Sequence, residues 1–120
     1  MNANPKDDHI DYVEFPATSA DALRATQQFY TDVFGWSFQN WGDRYVDTKS
    51  SGIASGINAD PAHRPPAPLV VLFTSNLEGS RARVIKAGGK IVKDIFSFPG
   101  GRRFEYLDPA GNQLAVWSPK

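Results

Sequence analysis

The sequence predicts an α+β fold made of two similar units, each running strand, helix, strand, strand, strand along the chain. The main observation is a repeat, because the first strand and the helix start of one unit recur about 57 positions later in the other. The glycines that end the two predicted helices, Gly35 and Gly88, are about 53 positions apart. A proline-rich segment separates the units, and neither half could bury the apolar face of its sheet alone. We therefore expect the 120 residues to form a single domain.

The first unit covers residues of about 9–58. Residues 9–16 alternate between two faces, which is typical of a strand. Ser19 is a favourable helix N-cap, and Gly35 is typical of the residue that ends a helix. Between them, side chains recur at helical spacing at Leu23, Thr26, Tyr30, Val33 and Phe34. Three short strand candidates follow, at residues 36–40, 44–48 and 53–57.

A linker of residues 59–68 contains four prolines, which remove backbone donors and favour extended shapes. The second unit covers residues of about 69–118 and begins with an apolar strand at 69–74. Ser75 or Asn76 caps the predicted helix, which carries Leu77, Val84 and Ile85 and ends at the glycine pair 88–89. Three strands follow: one begins at residue 90, and the other two cover residues 103–107 and 113–117. The composition of residues 108–112, between the last two strands, is suited to a tight turn.

Composition excludes several classes of function. The 13 basic and 13 acidic side chains balance, so no basic face is available for nucleic acid or an anionic membrane. The chain has no cysteine and only two histidines, which excludes disulfides, thiolate nucleophiles and cysteine zinc sites. No apolar run approaches the roughly 18 residues of a membrane span, and the polar start of the chain is unlike a secretory signal. We expect a cytoplasmic domain.

Three segments carry a resemblance to a known family. They are residues 14–16 (EFP), residues 29–36 (FYTDVFGW) and residues 108–117 (DPAGNQLAVW). In order and spacing they resemble the vicinal oxygen chelate superfamily, which includes glyoxalase I, extradiol dioxygenases and bleomycin resistance proteins. The resemblance implies two βαβββ modules whose strands form a curved, half-open, barrel-like sheet with the helices outside. It also implies a cleft for a small organic molecule and pairing as a homodimer.

The resemblance further implies where a metal would be held, since metal-using relatives carry His, Glu or Gln on the first and last strands of each module. The corresponding positions here are Tyr12, Leu69 and Ala115, and residues 54–56 offer no carboxylate or imidazole. His9 lies on the opposite strand face from Tyr12, and the other histidine lies in the linker. We therefore expect no metal and no other cofactor. A divalent ion on Glu14, completed by a ligand or a dimer mate, is the less favoured alternative.

Strand alternation predicts which side chains line the cleft. The side chains expected to pack under the helices are Val13, Phe15, Val70, Leu72, Leu114 and Val116. Those expected to face the cleft, and so to contact a ligand, are Tyr12, Glu14, Leu69, Val71, Phe73, Gln113, Ala115 and Trp117. Mostly apolar walls with a few polar groups are typical of a small-molecule site.

Glu14 is the predicted catalytic residue, because a carboxylate among aromatic walls can act as a general base or anchor a cationic ligand group. The alternative is that Glu14 pairs with Arg102 or Arg103 and only holds strands together. Residues 96–106 raise a second question, since two glycines followed by two arginines suit either a mobile rim that holds an anion or a simple hairpin. Alternation places Arg103 and Glu105 towards the cleft, and Phe98 is expected to line it.

No serine is placed with a histidine and an aspartate as nucleophilic catalysis requires. Two function classes therefore remain for a metal-free cleft. In the first, the protein is a lyase-like or isomerase-like enzyme with Glu14 as base and Arg103 stabilising an anionic intermediate. In the second, it is a non-catalytic binding protein that sequesters a compound, as drug-resistance relatives do. A weaker third alternative is an interaction domain whose cleft is filled by its own side chains.

Overall fold

A computed structural model describes residues 2–120. The chain divides into two compact units, one of residues 12–69 and one of residues 2–11 with 70–120. We call these unit 1 and unit 2. Together they hold two helices and eight strands, in the order βαβββ twice. The predicted α+β class and the repeat of one element order are thereby confirmed.

Unit 1 carries the first helix and most of the first four strands. The elements are β1 (Ile10–Pro16), α1 (Ala20–Phe34), β2 (Phe38–Asn40), β3 (Tyr45–Thr48) and β4 (Ser55–Asn58). Their order across the sheet is β2-β3-β4-β1. The β1–β4 pair is parallel, whereas β2–β3 and β3–β4 are antiparallel. The predicted strands are all present, although β2 and β4 each begin two residues later than the sequence suggested.

Both predicted ends of α1 are confirmed. The Ser19 side chain accepts a hydrogen bond from the backbone N–H of Ala22 at 3.0 Å, and Gly35 adopts a left-handed φ of 71°. The helix packs through Leu23 against Val46 and a small cluster of apolar neighbours. The C-terminal end of α1 is less buried. Its apolar side chains Phe29, Val33 and Phe34 are each more than half exposed.

Unit 2 repeats the arrangement with a shorter helix. Its elements are β5 (Leu69–Phe73), α2 (Leu77–Lys86), β6 (Lys90–Phe98), β7 (Gly101–Leu107) and β8 (Gln113–Ser118). Their order is β5-β8-β7-β6, with β5–β8 parallel and the other two pairs antiparallel. The pairing of β6 with β7 contains two register shifts. Leu77, Phe104 and Val116 form the core beneath α2.

The turns of unit 2 follow from their residues. Asn76, and not Ser75, caps α2 by accepting a hydrogen bond from the backbone N–H of Gly79 at 3.0 Å. Asp108 Oδ1 accepts from the backbone N–H groups of Ala110 and Asn112, at 3.0 and 2.9 Å, which closes the predicted tight turn. Residues 99–100 form the turn of a hairpin between β6 and β7. Of the two alternatives for these glycines, the structure therefore shows the hairpin.

Candidate functional site

A cluster of polar side chains lies on one face of unit 1, where three strands meet in register. Glu14 of β1 and Asp47 of β3 both pair with Gly56 of β4, one from each side. Tyr12 and Tyr45 precede these carboxylates by two residues, so strand alternation places all four side chains on one face. Gly56 makes room for them, because a Cβ there would overlap the Tyr12 hydroxyl. We call Tyr12, Glu14, Tyr45 and Asp47 the phenol–carboxylate chain.

The phenol–carboxylate chain is continuous. The Tyr45 hydroxyl donates to Glu14 Oε1 at 2.9 Å, and the Tyr12 hydroxyl donates to Asp47 Oδ1 at 2.5 Å. The two phenol oxygens lie 2.9 Å apart. The indole N–H of Trp41 donates to Asp47 Oδ2 at 2.9 Å. Both carboxylate oxygens of Asp47 therefore accept hydrogen bonds from neutral groups.

The β1 members of the phenol–carboxylate chain are more deeply buried than its β3 members. Tyr12 and Glu14 are each only 2% exposed, whereas Tyr45 and Asp47 are half-buried and Trp41 is 59% exposed. A molecule arriving from solvent therefore meets Trp41, Asp47 and Tyr45 first. Glu14, the predicted catalytic residue, lies behind them and accepts a hydrogen bond from the Tyr45 hydroxyl.

The two phenols stay protonated at neutral pH. Burial raises the pKa of Tyr12 well above its usual range, and the hydrogen bond to Asp47 raises it further. Burial also raises the pKa of Tyr45, and the negative charge of Glu14 adds to this effect. Tyr12 and Tyr45 are therefore neutral hydrogen-bond donors at this site, not phenolates.

Such an arrangement can move a proton without moving a side chain. The four groups make three oxygen–oxygen contacts, but the two phenols supply only two hydrogens when both carboxylates are ionised. A third hydrogen taken up at Asp47 Oδ1 would complete the chain once the Tyr12 hydroxyl turned its own hydrogen from Asp47 towards Tyr45. Shifting each hydrogen to the next oxygen would then deliver a proton to Glu14.

A second cluster lies on the face of unit 2 opposite α2. Register across β5, β8, β7 and β6 places Phe73, Trp117, Arg103 and Phe96 in one row. The Trp117 ring lies 5.4 Å from that of Phe73 and 6.4 Å from that of Phe98, measured between centres. The guanidinium carbon of Arg103 lies 5.2 Å from the centre of the Phe96 ring, which is a cation–π contact.

Arg103 is held in this aromatic row by an ion pair on its own strand. Its Nη2 donates to Glu105 Oε2 at 3.1 Å, and Gln113 Nε2 donates to Glu105 Oε1 at 3.0 Å. Arg103 and Glu105 are each 3% exposed. As alternation predicts, the two share one face, while Phe104 packs into the core under α2. Their charges are already partnered within unit 2.

The other predicted ligand contacts differ in accessibility. Leu69, Val71 and Ala115 are almost fully buried, and Val71 pairs with Ala115 in the row next to that of Arg103. Gln113 and Phe98 are half-buried. The structure therefore brings Phe73, Phe98, Arg103, Glu105, Gln113 and Trp117 together in unit 2, and Tyr12 with Glu14 in unit 1.

Arg102 takes no part in either cluster. Its Nη1 donates to Glu78 Oε2 at 2.6 Å, and its Nη2 donates to the backbone carbonyl of Lys120 at 2.8 Å. Glu78 lies in the first turn of α2, so this pair ties the start of the helix to β7. Of the two arginines in the predicted alternative of a Glu14 ion pair, Arg102 is therefore paired with Glu78 instead. The alternative of a pair with Arg103 stays a prediction.

The side chains at the expected metal positions do not fit a divalent ion. Leu69 and Ala115 have no coordinating atom, and the Tyr12 phenol stays protonated. His9 and His63 belong to neither cluster. Among residues 2–120, no three His, Cys, Asp or Glu side chains are grouped so that they could hold a metal ion.

Sequence reasoning missed three residues of these clusters. Tyr45 and Asp47 alternate on a strand, which is a usable signal, but only the register with Gly56 brings them next to Glu14. Alternation places Asp11 on the strand face of Val13 and gave it no role. It is 5% exposed, and its Oδ2 accepts from the Trp117 indole N–H at 2.9 Å.

The fold and the family model agree on the class of this protein. The element order βαβββ, present twice, is that of a two-module α+β domain. The family model described as the glyoxalase/bleomycin resistance protein/dioxygenase superfamily matches residues 9–116, nearly the whole chain. The chain belongs to this superfamily. No helix within residues 2–120 has the length and apolar character needed to cross a membrane.

The chain is similar to several individual proteins. The anthracycline biosynthesis protein DnrV of Streptomyces peucetius is 31% identical over 116 positions, which cover 79% of this chain and 42% of that protein. A protein of Legionella pneumophila named as an NAD-dependent benzaldehyde dehydrogenase superposes with a TM-score of 0.73 at 12% identity, over 91% of this chain and 98% of that one. The Mn(II)-bound glyoxalase of Novosphingobium aromaticivorans has a TM-score of 0.61 at 22% identity, over 92% and 38%.

The lengths of these relatives differ from that of this chain. The chain spans less than half the length of DnrV and of the Novosphingobium glyoxalase. The two structural likenesses lie below 25% identity and show the fold alone.

Proposed function

We propose that this protein binds a small organic molecule with a cationic nitrogen at the exposed end of the phenol–carboxylate chain, without a resident metal. Asp47 carries the proposal. It is a half-buried carboxylate whose two oxygens accept from the neutral Tyr12 and Trp41 groups. Within residues 2–120, no Lys, Arg or His side chain forms an ion pair with Asp47. A cationic ligand would supply the missing positive charge.

The aromatic side chains around Asp47 favour a planar or aromatic ligand. Trp41 leaves 59% of its surface exposed next to the carboxylate, and an indole ring attracts cations and stacks on flat molecules. The name of the relative DnrV refers to anthracyclines, which supports an aromatic organic ligand for this chain as well. The metal-free part of the proposal is supported by Leu69 and Ala115, which have no atom that could coordinate an ion.

Binding without catalysis is the form that the burial supports best. Glu14 and Arg103, the two predicted catalytic residues, are 2% and 3% exposed and are hydrogen-bonded to Tyr45 and Glu105. A sequestering protein needs only the exposed end of the phenol–carboxylate chain, where a ligand can reach Asp47 directly.

A lyase-like or isomerase-like enzyme is the second candidate, because the phenol–carboxylate chain offers a path for a proton. In that case Glu14 is the general base and exchanges its proton through Tyr45. Glu14→Gln separates the two candidates. An enzyme would lose turnover and keep its affinity for substrate, whereas a binding protein would show no turnover before the substitution.

A thermal-shift and calorimetric screen tests the binding site. The probes are planar aromatic amines, each with a neutral analogue of the same shape. We expect the amine to bind at least about tenfold more tightly than the neutral analogue, and Asp47→Asn to remove this difference. Asp43→Asn is the matched control, because Asp43 is an exposed carboxylate in the neighbouring loop. If Asp47→Asn and Asp43→Asn bind the amines equally well, the proposed site is wrong.

Elemental analysis tests the absence of a metal separately. We expect less than stoichiometric Ni, Zn, Fe and Mn in the purified protein, and ligand binding that a chelator does not change. A stoichiometric metal that a chelator removes together with ligand binding would contradict this part of the proposal.

We further propose that the chain forms a homodimer. The exposed apolar side chains at the end of α1, Phe29, Val33 and Phe34, support this because such patches are typical of association surfaces. Sedimentation velocity tests it, and a monomer at all accessible concentrations would refute it.

A further inference from the structure

A cavity of about 250 Å³ lies in unit 2, on the face of the sheet covered by α2, and it shares Phe73 with the cluster around Arg103. Its walls come from α2, β5, β7 and β8, and Asp8 and Arg83 carry its charged groups. Its other lining residues include Leu72, Ser80, Val84, Ala87 and Tyr106. No part of the phenol–carboxylate chain touches it.

The cavity follows from the residues of α2. Leu77 fills the core under the first turn, but the positions that follow on the same helix face carry smaller side chains, Ser80, Val84 and Ala87. The helix also ends at Lys86, after 10 residues, whereas α1 has 15. The apolar surface beneath is therefore only partly covered at Leu72 and Tyr106, which are half-buried.

One end of this apolar cavity carries a guanidinium with unused donors. Arg83 Nη2 donates to the Ser80 hydroxyl at 3.1 Å, which holds the group at the cavity. The Asp8 carboxylate lies 3.8 Å away, too far for a hydrogen bond, and both side chains are more than half exposed. Most of the five N–H donors of Arg83 thus remain available.

We propose that this cavity binds a compact apolar carboxylic acid, with its ring or short chain against Val84 and Leu72 and its carboxylate on Arg83. Guanidinium and carboxylate match in geometry and form paired hydrogen bonds. The volume is below the roughly 300–1,000 Å³ typical of sites for drug-sized ligands, which limits the occupant to a single small ring or a short chain. The proposal does not depend on the site at Asp47.

Two probes of one shape test the proposal on the full chain. Cyclohexanecarboxylate and cyclohexylmethanol differ in charge and in the group offered to Arg83. Each is titrated while the amide NMR signals of residues 80–87 are followed. We expect the carboxylate to bind about tenfold more tightly than the alcohol, since a charge-assisted hydrogen bond is lost with the alcohol. Arg83→Gln should reduce the carboxylate to the affinity of the alcohol.

Ala87→Leu is the variant that blocks the cavity. Ala87 is exposed at the end of α2, so the larger side chain can be accommodated without disturbing the core and should abolish binding of both probes. Asp47→Asn is the control in the other unit and should leave both affinities unchanged. Equal affinity for the two probes, or carboxylate binding that survives Ala87→Leu, would overturn the proposal. Loss of binding in Asp47→Asn alone would overturn it too, by placing the probe elsewhere.

Discussion

Replacing Gly56 by alanine should damage the phenol–carboxylate chain more than a single added methyl group normally damages a sheet. The new Cβ would overlap the Tyr12 hydroxyl and lie 2.7 Å from the backbone carbonyl oxygen of Val46. The φ of Gly56 is not positive, so backbone strain plays no part and the effect is steric. Tyr12 must then move its hydroxyl away from Asp47 and Tyr45.

The expected magnitude follows from two contributions. Overpacking by one methyl group in a filled interior costs about 1–3 kcal/mol. Losing the hydrogen bonds of Tyr12 to Asp47 and Tyr45 costs about 1 kcal/mol each. Gly56→Ala should therefore lower the free energy of unfolding by about 3–5 kcal/mol. Tyr12→Phe removes only the hydroxyl and should cost about 1–3 kcal/mol.

Urea unfolding of the two single variants and of the double variant tests the reasoning. Tyr12→Phe has already removed the overlapping oxygen. The loss in the free energy of unfolding caused by Gly56→Ala should therefore be smaller in the Tyr12→Phe background than in the original protein, by at least about 1 kcal/mol. Part of the cost must persist, because the Val46 carbonyl remains in the way. If the two effects add within about 0.5 kcal/mol, or if Gly56→Ala alone is neutral, the Tyr12 hydroxyl does not occupy the space over Gly56.

Two further predictions concern titration and packing. The raised pKa values of Tyr12 and Tyr45 mean that the native state keeps protons which the unfolded state releases above about pH 10. The free energy of unfolding should then fall as pH rises, by about 1.4 kcal/mol per pH unit for each tyrosine. Urea unfolding at several pH values measures this dependence, and Tyr45→Phe should make the decrease with pH less steep. Leu23→Ala should cost about 2–5 kcal/mol because Leu23 is fully buried, whereas Phe34→Ala, at 62% exposed, should change the monomer's unfolding midpoint little. A larger effect at Phe34 would contradict this packing.

Local chemistry made the element order predictable. Ser19 and Gly35 bracket α1 because their side-chain oxygen and missing Cβ satisfy groups that only a helix end presents. Asp108 closes its turn with its own carboxylate for a similar reason. These effects act over a few residues, so they are visible in the sequence before any tertiary contact is known.

Burial was harder to predict at the end of α1. Val33 and Phe34 recur at helical spacing, yet both are more than half exposed. Helical spacing defines an apolar face but not what covers it, since that depends on how far the sheet extends beneath the helix. β2, the nearest strand in sequence, has only three residues.

The sequence predicted which face of its strand each site residue lies on, but not which residues of other strands it contacts. Alternation placed Tyr12 with Glu14, and Arg103 with Glu105, because side-chain direction depends only on position along one strand. The link from Asp47 to Glu14 depends instead on two pairings through Gly56, one parallel and one antiparallel. Register of that kind is set by the packed sheet, and a single sequence does not reveal it.

The edge strands β2 and β6 are poorly suited to pairing with a strand of another protein molecule. β2 and β6 each pair with one neighbour only, so their second edges expose unpaired N–H and C=O groups. β2 is too short, at three residues, to recruit a long partner strand. β6 has nine residues, but its two register shifts and its lysines at positions 90 and 93 make it irregular and charged. Replacing these two lysines by uncharged residues should therefore increase aggregation at high protein concentration while the native fold is still intact.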